Sequence, residues 1–296
     1  MNPNKLALCL CIALMACLPL SAQSAQPQVT YTFTTVNYPS DTFTQLLGIN
    51  NANQIAGYHG VAVNKGFTYN LATKAFTNEN FPGSAQTQVI AINNKGKTAG
   101  FYIDGAGITH GFFSKGGVFS KIDFPGQPFN QTLGANDFGE TVGYYSTKAD
   151  GTGPDHAYIN DNIGGVFELF VIQTSVSTQA VGVNNLGNVC GFIVDKAGVN
   201  HGWLRVQGTF TVLDFPGSTS TQALGVNNKG IVVGVYTDGA GNTHGFTYNS
   251  VTPAWQSIDD PNGIGTTVVN GINDAGNLVG FSGTSPLNNG FVAIAH

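Results

Sequence analysis

The stretch Ala223–Asn249, ALGVNNKGIVVGVYTDGAGNTHGFTYN, decides the fold because each of its parts has a distinct structural meaning. It opens on a short apolar run that is typical of a strand. Asn227 starts a turn, and Gly230 suits the positive-φ position that closes a hairpin. The apolar run that follows is a second strand, whose Gly234 indicates close approach of a neighbouring backbone or ring. A second turn, DGAGN, leads into a third strand at His244.

This stretch is one of six similar copies along the chain. Each copy carries the turn motif, which reads GINNANQIAGY in the first copy and GINDAGNLVGF in the last. An aromatic segment that most often ends in Phe-Pro precedes the turn, and a His-Gly-aromatic segment follows it in most copies. A sustained period in the forties is a signature of propeller blades. The first Asn of each turn, at spacings of 43, 43, 48, 43 and 46 residues, is Asn50, Asn93, Asn136, Asn184, Asn227 and Asn273.

The repeat predicts both the architecture and its closure. Four short antiparallel strands per unit, six units and no helical periodicity after the N-terminal segment predict an all-β, six-bladed β-propeller over residues 29–296. The region starts with a fourth-type strand at 29–39 and finishes with a third-type strand at 289–295. We therefore expect the N-terminal strand to complete the sixth blade, which removes an exposed sheet edge.

The first 25 residues read as a secretory signal peptide. Lys5 precedes an apolar run over 6–20, and small residues follow it. This is the order of a cleaved export signal, and the apolar run is shorter than a bilayer span requires. A second interpretation is the lipobox-like LMAC, in which Cys17 would carry a lipid anchor. We expect a secreted or periplasmic protein with no transmembrane segment after cleavage.

Composition narrows the possible partners. Lys and Arg number 11 against 16 Asp and Glu, and charged residues are 9% of the chain. A nucleic-acid binder would carry clustered Lys and Arg, so we expect no nucleic-acid partner. Three of the four cysteines lie in the signal region, which leaves Cys190 without a disulfide partner. Cys190 stands where other copies have Val or Ala, so we predict that its side chain is small and buried. Without a disulfide, the core must supply the stability. We also expect the protein to be a monomer.

The repeat unit resembles the HAF-type extracellular repeat family, whose units read much like ALGINNxGxIVGxYxDxxGxxHGF. The resemblance covers residues 29–296, and it implies a secreted, propeller-like bacterial protein with no common reaction. Three copies depart from the pattern. Lys65 and Asn289 replace the His in the first and sixth copies, and the fourth copy has Val-Ile-Gln at 171–173 in place of Asp-Phe-Pro.

The six turn asparagines are candidate ligand-binding residues. If their strand is the innermost of each blade, their amides ring one mouth of the channel. Amide oxygens at that mouth could coordinate Ca²⁺ or hold a sugar hydroxyl. The alternative is that each side chain satisfies the backbone of its own hairpin. The sequence predicts no other metal or cofactor.

Titratable residues offer two further hypotheses. We expect the repeated histidines to stabilise turns and the starts of strands. Three of them follow an Asp by six residues. The alternative is that these pairs bind a metal ion or act in acid–base catalysis. Catalysis needs asymmetry, so non-repeating carboxylates are the better candidates. Glu140 and Glu168 are the two that we single out, since paired carboxylates across a channel mouth could cleave a glycosidic bond.

The sequence thus favours a non-enzymatic binding or scaffold module for glycan or protein ligands. A low-charge surface rich in amides and aromatic residues suits a neutral polysaccharide. A carbohydrate-active hydrolase or lyase that uses the non-repeating carboxylates is the alternative.

Overall fold

A computed structural model describes residues 28–161, 165–172, 174–263, 265–283 and 287–296. These residues form twenty-four strands in six four-stranded antiparallel sheets and include no helix. The sheets are the blades of a six-bladed β-propeller, as the sequence predicts. The described residues therefore contain no helix with the length and apolar character that a membrane span requires. The predicted signal peptide lies outside the described residues.

The strands follow the repeat of the sequence, with one blade completed by the first strand of the chain. Blade 1 consists of β2 (Thr44–Ile49), β3 (Gln54–His59), β4 (Lys65–Asn70) and β5 (Ala75–Asn78). Blade 2 consists of β6 (Gln86–Ile92), β7 (Thr98–Ile103), β8 (Thr109–Lys115) and β9 (Val118–Ile122). Blade 3 consists of β10 (Phe129–Ala135), β11 (Glu140–Ser146), β12 (Asp155–Asp161) and β13 (Phe167–Leu169).

The second half of the molecule repeats this arrangement. Blade 4 consists of β14 (Ser177–Val183), β15 (Val189–Val194), β16 (Asn200–Val206) and β17 (Thr209–Leu213). Blade 5 consists of β18 (Ser220–Val226), β19 (Ile231–Thr237), β20 (Thr243–Asn249) and β21 (Ala254–Ile258). Blade 6 consists of β22 (Thr267–Ile272), β23 (Leu278–Ser282), β24 (Asn289–Ala295) and β1 (Tyr31–Thr35).

The strand before each Asn turn is the innermost of its blade, because these strands contact one another in a closed circle. The turn itself has the geometry that its residues predict. Gly230 has a φ of 77°, and Asn53, which replaces this glycine in the first copy, has a φ of 54°. The Asn turns and the turns between the third and fourth strands share one face of the disc, which we call the Asn face. The connections that carry the histidines lie on the other, which we call the His face.

Each inner strand carries a bulge that the repeat pattern does not reveal. The pairing register slips by one residue in all six, for example between Val269 and Gly271. A Cβ on Gly271 would lie 2.7 Å from the carbonyl oxygen of Leu47 in the next blade. Glycine at this position therefore allows the inner strands to approach closely around the axis.

The second-strand glycine also has the role that the sequence predicts. A Cβ on Gly234 would lie 2.0 Å from the Gln222 carbonyl oxygen and 2.8 Å from the ring of Phe246. That ring is fully buried between blades. The Phe of a Phe-Pro segment packs on the next blade, since Phe215 stacks on Tyr236 with ring centroids 3.7 Å apart.

The N-terminal strand closes the ring. β1 pairs antiparallel with β24, with Tyr31 opposite Ala295 and Thr35 opposite Phe291. Phe33 covers the core of the last blade, where its ring centroid lies 5.3 Å from that of Phe291. The sixth blade thus has the four strands of the others and leaves β24 without a free edge.

Candidate functional site

The first asparagine of each turn lies at the channel mouth on the Asn face and is buried. Its oxygen holds its own hairpin. Asn184 Oδ1, for example, accepts hydrogen bonds from the backbone N–H groups of Leu186 at 3.0 Å and Asn188 at 2.9 Å. The same pair of bonds occurs in all six blades. The amide oxygens are therefore engaged by backbone groups, which is the arrangement that the hairpin interpretation describes.

The amide nitrogens of these residues link the blades to one another. Each Nδ2 group donates to the backbone oxygen of the matching asparagine in the next blade, and the sixth returns to the first. We call this closed set of hydrogen bonds the inner ring. The donors, with distances to the acceptor of the next blade, are Asn50 (2.9 Å), Asn93 (2.8 Å), Asn136 (3.1 Å), Asn184 (2.9 Å), Asn227 (3.0 Å) and Asn273 (3.2 Å).

A second ring lies above the first, closer to solvent. Each of its side chains accepts a hydrogen bond at 2.7–2.9 Å from the backbone N–H of the matching residue in the preceding blade. Two members are aspartates, and they stand three blades apart. We call this set the outer ring, and its members are Asn51, Asn94, Asp137, Asn185, Asn228 and Asp274.

Both outer-ring carboxylates are paired with neighbouring amides. Asp274 Oδ2 accepts from Nδ2 of Asn51 and of Asn228, each at 2.8 Å. Asp137 Oδ2 accepts in the same way from Asn94 at 2.9 Å and Asn185 at 2.6 Å. Partial burial raises the pKa of Asp274, but these hydrogen bonds outweigh it and lower the pKa overall. Both rings surround an axial cavity of about 80 Å³.

The channel below the rings is apolar. Its cavity of about 140 Å³ is lined by the inner strands, including their bulged residues, of which five are Leu, Ile or Val and the sixth is Asn270. Asn270 donates from Nδ2 to the Leu46 carbonyl oxygen at 3.0 Å. Whether the turn asparagines bind a ligand at this mouth stays a prediction.

The repeated histidines lie on the His face, each between two carboxylates in three blades. His244 Nδ1 is 2.8 Å from Asp259 Oδ1, and His244 Nε2 is 3.4 Å from Asp238 Oδ2. His110 lies in the same way between Asp123 and Asp104.

The fourth blade repeats this arrangement, with His201 between Asp214 and Asp195. Burial lowers the pKa of His201 and of His244, but the paired carboxylates outweigh it, so that both pKa values are raised.

The sequence identifies only one of the two carboxylates in each of these clusters. Asp104, Asp195 and Asp238 are the residues six positions before the histidine, and the structure brings them to it. The closer partner is the Asp of the Asp-Phe-Pro or Asp-Asp-Pro segment, thirteen or fifteen residues later. The sequence did carry a signal for this second partner, since the His and Asp-Phe-Pro segments recur together along the chain. Hydrogen bonds from Asn242 lower the pKa of Asp238 to about 2, which is consistent with an ionised turn residue.

The described residues of the other blades do not repeat this cluster of one His and two Asp residues. Asn289 Oδ1 accepts from Asn37 Nδ2 at 2.7 Å, in place of the His–Asp pair. In blade 1, His59 belongs to the second strand. Its ring stacks on that of Tyr38 with centroids 3.5 Å apart, and its Nδ1 lies 2.9 Å from Asp41 Oδ2. Across the described residues, no group of three or more His, Cys, Asp or Glu is arranged to hold a metal ion. Cys190 is fully buried, as predicted, and burial raises the pKa of its thiol to about 12.

Glu140 and Glu168 both lie in blade 3 but have different partners. Glu140 begins β11 and accepts a hydrogen bond from Asn136 Nδ2 at the channel mouth. Glu168 lies on the outermost strand, where Arg205 Nη2 is 3.1 Å from its carboxylate. Strand β12 separates the two strands, so their backbones are about 10 Å apart. Their carboxylates are thus held by two separate contacts, one near the axis and one at the rim.

Among the described residues, grooves open on the Asn face at three of the boundaries between blades. The groove between blades 3 and 4 has a volume of about 320 Å³ and is lined by Phe138, Glu140, Asp161 and Leu186, among others. The groove between blades 4 and 5 measures about 410 Å³ and includes Lys229. The third, between blades 5 and 6, measures about 350 Å³. We call it the seam groove because β1 forms one of its walls.

Comparison with known proteins supports the fold. No protein-family model and no curated protein sequence matches the chain. Among solved structures, the chain is similar to the Aleuria aurantia lectin in complex with Fucα1-6GlcNAc, with a TM-score of 0.51 and 12% identity over 84% of this chain and 92% of the lectin. TolB from Acinetobacter baumannii gives a TM-score of 0.57 at 13% identity, over 85% of this chain and 63% of TolB.

A third structure gives the same result. A protein described as a putative TolB from Agrobacterium tumefaciens has a TM-score of 0.59 at 10% identity, over 79% of this chain and 90% of its own. At these identities the similarity establishes the shared β-propeller fold.

Proposed function

We propose that this chain is a non-enzymatic β-propeller that works outside the cytoplasm as a binding or scaffold module for glycan or protein ligands. The observation that carries the proposal is the set of three inter-blade grooves on the Asn face. Their volumes fall at the small end of the range of about 300–1,000 Å³ that ligand pockets cover. A rigid scaffold with several shallow grooves suits an extended ligand that contacts more than one blade.

The use of the polar residues supports binding over catalysis. The inner-ring asparagines, the outer ring and the His–Asp clusters recur from blade to blade, and each set is engaged in contacts that hold the scaffold together. A catalytic site needs different groups that converge on one reacting atom. The hydrolase or lyase alternative therefore rests on the non-repeating carboxylates, with Glu140 and Glu168 as the named candidates, and it stays a hypothesis.

Export and family membership belong to the same proposal. The signal-like segment at residues 1–25 supports secretion to the periplasm or the medium, and lipid attachment at Cys17 is the alternative. The resemblance to HAF-type repeats supports an extracellular role. The lectin with the similar fold is described in complex with a fucosylated disaccharide, which supports glycans as the first ligands to test. We expect the protein to act as a monomer.

A binding assay tests this proposal. The folded protein should be retained on at least one member of an array of polysaccharides and extracellular proteins, and chromatography of that ligand after incubation should show no shortened products. Heat-unfolded protein is the control for nonspecific retention. A protein that binds nothing on a broad array, or that degrades its ligand, would refute the binding-module proposal.

Calcium is tested separately. Since each inner-ring oxygen already accepts two backbone hydrogen bonds, we expect chelation of divalent ions to leave the melting temperature unchanged within about 1 °C. Differential scanning calorimetry with and without EDTA measures this. A fall of several degrees that added Ca²⁺ restores would show that a calcium ion stabilises the propeller.

A further inference from the structure

The tips of the Asn turns differ between blades. The tip residue is Ala or Lys in four blades, but it is Phe138 in blade 3 and Leu186 in blade 4. These two residues expose 64% and 68% of their surface. Phe138 is also the only Phe, Tyr or Trp that is exposed among the residues the structure describes. The chain thus departs from its repeat at two neighbouring tips whose apolar side chains the core does not use.

The two tips connect two of the grooves. Phe138 and Leu186 both line the groove between blades 3 and 4, and Leu186 also lines the groove between blades 4 and 5. The second groove contains two further exposed apolar residues, Val206 and Val251. We call Phe138, Leu186, Val206 and Val251 the apolar track. Exposed apolar side chains that follow one another over a surface mark an interaction site.

The scaffold holds the track in place. The backbone N–H of Phe138 donates to Asn136 Oδ1 and that of Leu186 donates to Asn184 Oδ1, both at 3.0 Å, so the inner-ring asparagines fix the two tips. Leu204, which lines the second groove, is buried in the core between blades 4 and 5. A surface that is fixed in this way binds a ligand at little entropic cost.

The first groove carries negative charge beside the track. Glu140 and Asp161 stand directly opposite each other on β11 and β12, and both line this groove. Like charges at such a cross-strand pair repel each other. Glu140 accepts a hydrogen bond from Asn136, and no Lys or Arg in the described part of the chain forms an ion pair with it. A positively charged group of a ligand would relieve this repulsion.

We propose that the apolar track binds an extended peptide segment of a protein partner, in which a Lys or Arg lies close to an apolar residue. The stem of the Lys or Arg packs on Phe138 while its charged end reaches Glu140 and Asp161. Neighbouring blades are about 10 Å apart and an extended chain covers about 3.3 Å per residue, so an apolar residue about three positions away enters the second groove. Aliphatic walls favour apolar side chains over the hydroxyls of a sugar, which would lose their hydration there. This inference rests on the proposed function and names the ligand class of two of its grooves.

Substitutions at exposed residues test the track without emptying the core. Leu186→Ser removes the side chain that the two grooves share, and Phe138→Ser removes the ring beside the carboxylates. The matched control is Val61→Ser, at an exposed apolar residue on the His face. Asp161→Asn removes one negative charge and keeps an oxygen that can accept from the Val166 N–H. Unchanged melting temperatures confirm that the variants are folded.

The probe is a phage-displayed library of random octapeptides, selected on the folded wild-type protein. Enriched peptides are synthesised with a fluorescein label and titrated by fluorescence polarisation. We expect them to carry a Lys or Arg about three positions from a Leu, Ile, Val or Phe. Leu186→Ser and Phe138→Ser should each weaken binding about tenfold, while Val61→Ser leaves the affinity within about twofold. Asp161→Asn should weaken binding about threefold at low ionic strength, and this difference should vanish at about 1 M salt.

Other outcomes overturn the inference at different levels. Peptide binding that either Leu186→Ser or Phe138→Ser leaves intact would refute the apolar track, while the binding-module proposal survives. Enrichment of peptides without Lys or Arg would refute the basic ligand class. Retention on a polysaccharide with no enriched peptide would overturn this inference alone, and the absence of any bound peptide, protein or polysaccharide would overturn the proposed function as well.

Discussion

The channel mouth and the seam groove open on the same face of the molecule, yet their polar side chains are used in opposite ways. At the mouth, each inner-ring amide makes its bonds within the protein, at least two to its own turn and at least one to the next blade. At the seam groove, side-chain groups of Asn249, Thr252 and Tyr31 are left without partners in the described chain. Polar residues that repeat in every blade hold the scaffold, whereas the rim of the seam groove keeps polar groups that no other described residue pairs.

The largest expected effect comes from breaking the inner ring. Asn184→Ala removes three hydrogen bonds and leaves the partly buried N–H groups of Leu186 and Asn188 without this acceptor, so we expect a loss of about 3 kcal/mol in the free energy of unfolding. Urea denaturation measures this. Asn228→Ala, in the partly exposed outer ring, should cost about half as much. Equal stability of Asn184→Ala and the wild type would show that the ring does not hold the blades.

A second prediction concerns the rigidity of the seam. Phe33→Ala uncovers the core of blade 6, and Phe210→Ala does the same at the matching position of blade 4. Both rings are partly buried, so each substitution should cost about 2 kcal/mol. Thermal unfolding of the two variants compares the seam with a blade built from continuous chain. A much smaller loss for Phe33→Ala would mean that the N-terminal strand is loosely held and that the seam groove is not preformed.

The His face provides a smaller, pH-dependent test. The raised pKa of His244 means that folding favours its protonated form, so its pairing with Asp259 contributes fully below about pH 6.5 and is lost as the pH rises through the raised value. His244→Gln should therefore lower the melting temperature by about 2 °C at pH 5.5. The difference from the wild type should narrow at pH 9.

The matched control for this experiment is His156→Gln. His156 stacks on Tyr145, and in the described residues it makes no hydrogen bond to a carboxylate. The difference in melting temperature between His156→Gln and the wild type should change little between the two pH values. A His244→Gln difference that is flat with pH would show that the His–Asp pair does not titrate in this range.

The smallest effects are expected from the two glutamates. Glu168→Gln breaks one exposed pair with Arg205, which is worth about 0–1 kcal/mol, and Glu140→Gln keeps an oxygen that can accept from Asn136. Neither variant should change glycan retention or release products from it. If the wild type degrades a polysaccharide and either variant loses that activity, the hydrolase alternative would be established. The polar residues of blade 3 could then no longer be divided into scaffold and binding residues.

The sequence was sufficient for the fold because its signals are local and repeated. The turn glycines, the apolar runs and the period of about 43 residues predict six blades, and the strand types at the two ends predict the closure by β1. The bulges were not predictable in this way. They arise where six inner strands converge on one axis, and Leu47 or Asn270 reads like any other strand residue.

The candidate sites were less predictable from the sequence than the fold, because they depend on contacts between blades. The bond from each Asn oxygen to its own hairpin follows from local turn chemistry, whereas the Nδ2 bond to the next blade requires the closed ring. The pairing of Asp123 with His110 could have been read from two motifs that recur together. The seam groove had no comparable signal, because one of its walls comes from blade 5 and the other from β1, more than two hundred positions away.

The pairing of β1 with β24 also constrains how the ring assembles. His296 N–H donates to the Thr30 oxygen at 3.0 Å, and Tyr31 faces Ala295 across 264 positions of chain. Loops of that length form late, because their entropy is lost before the contact contributes. A cut in the polypeptide between two neighbouring blades would leave every sheet intact, while detachment of the five residues of β1 at this one junction would open the circle and expose both a strand edge and the seam groove beside it.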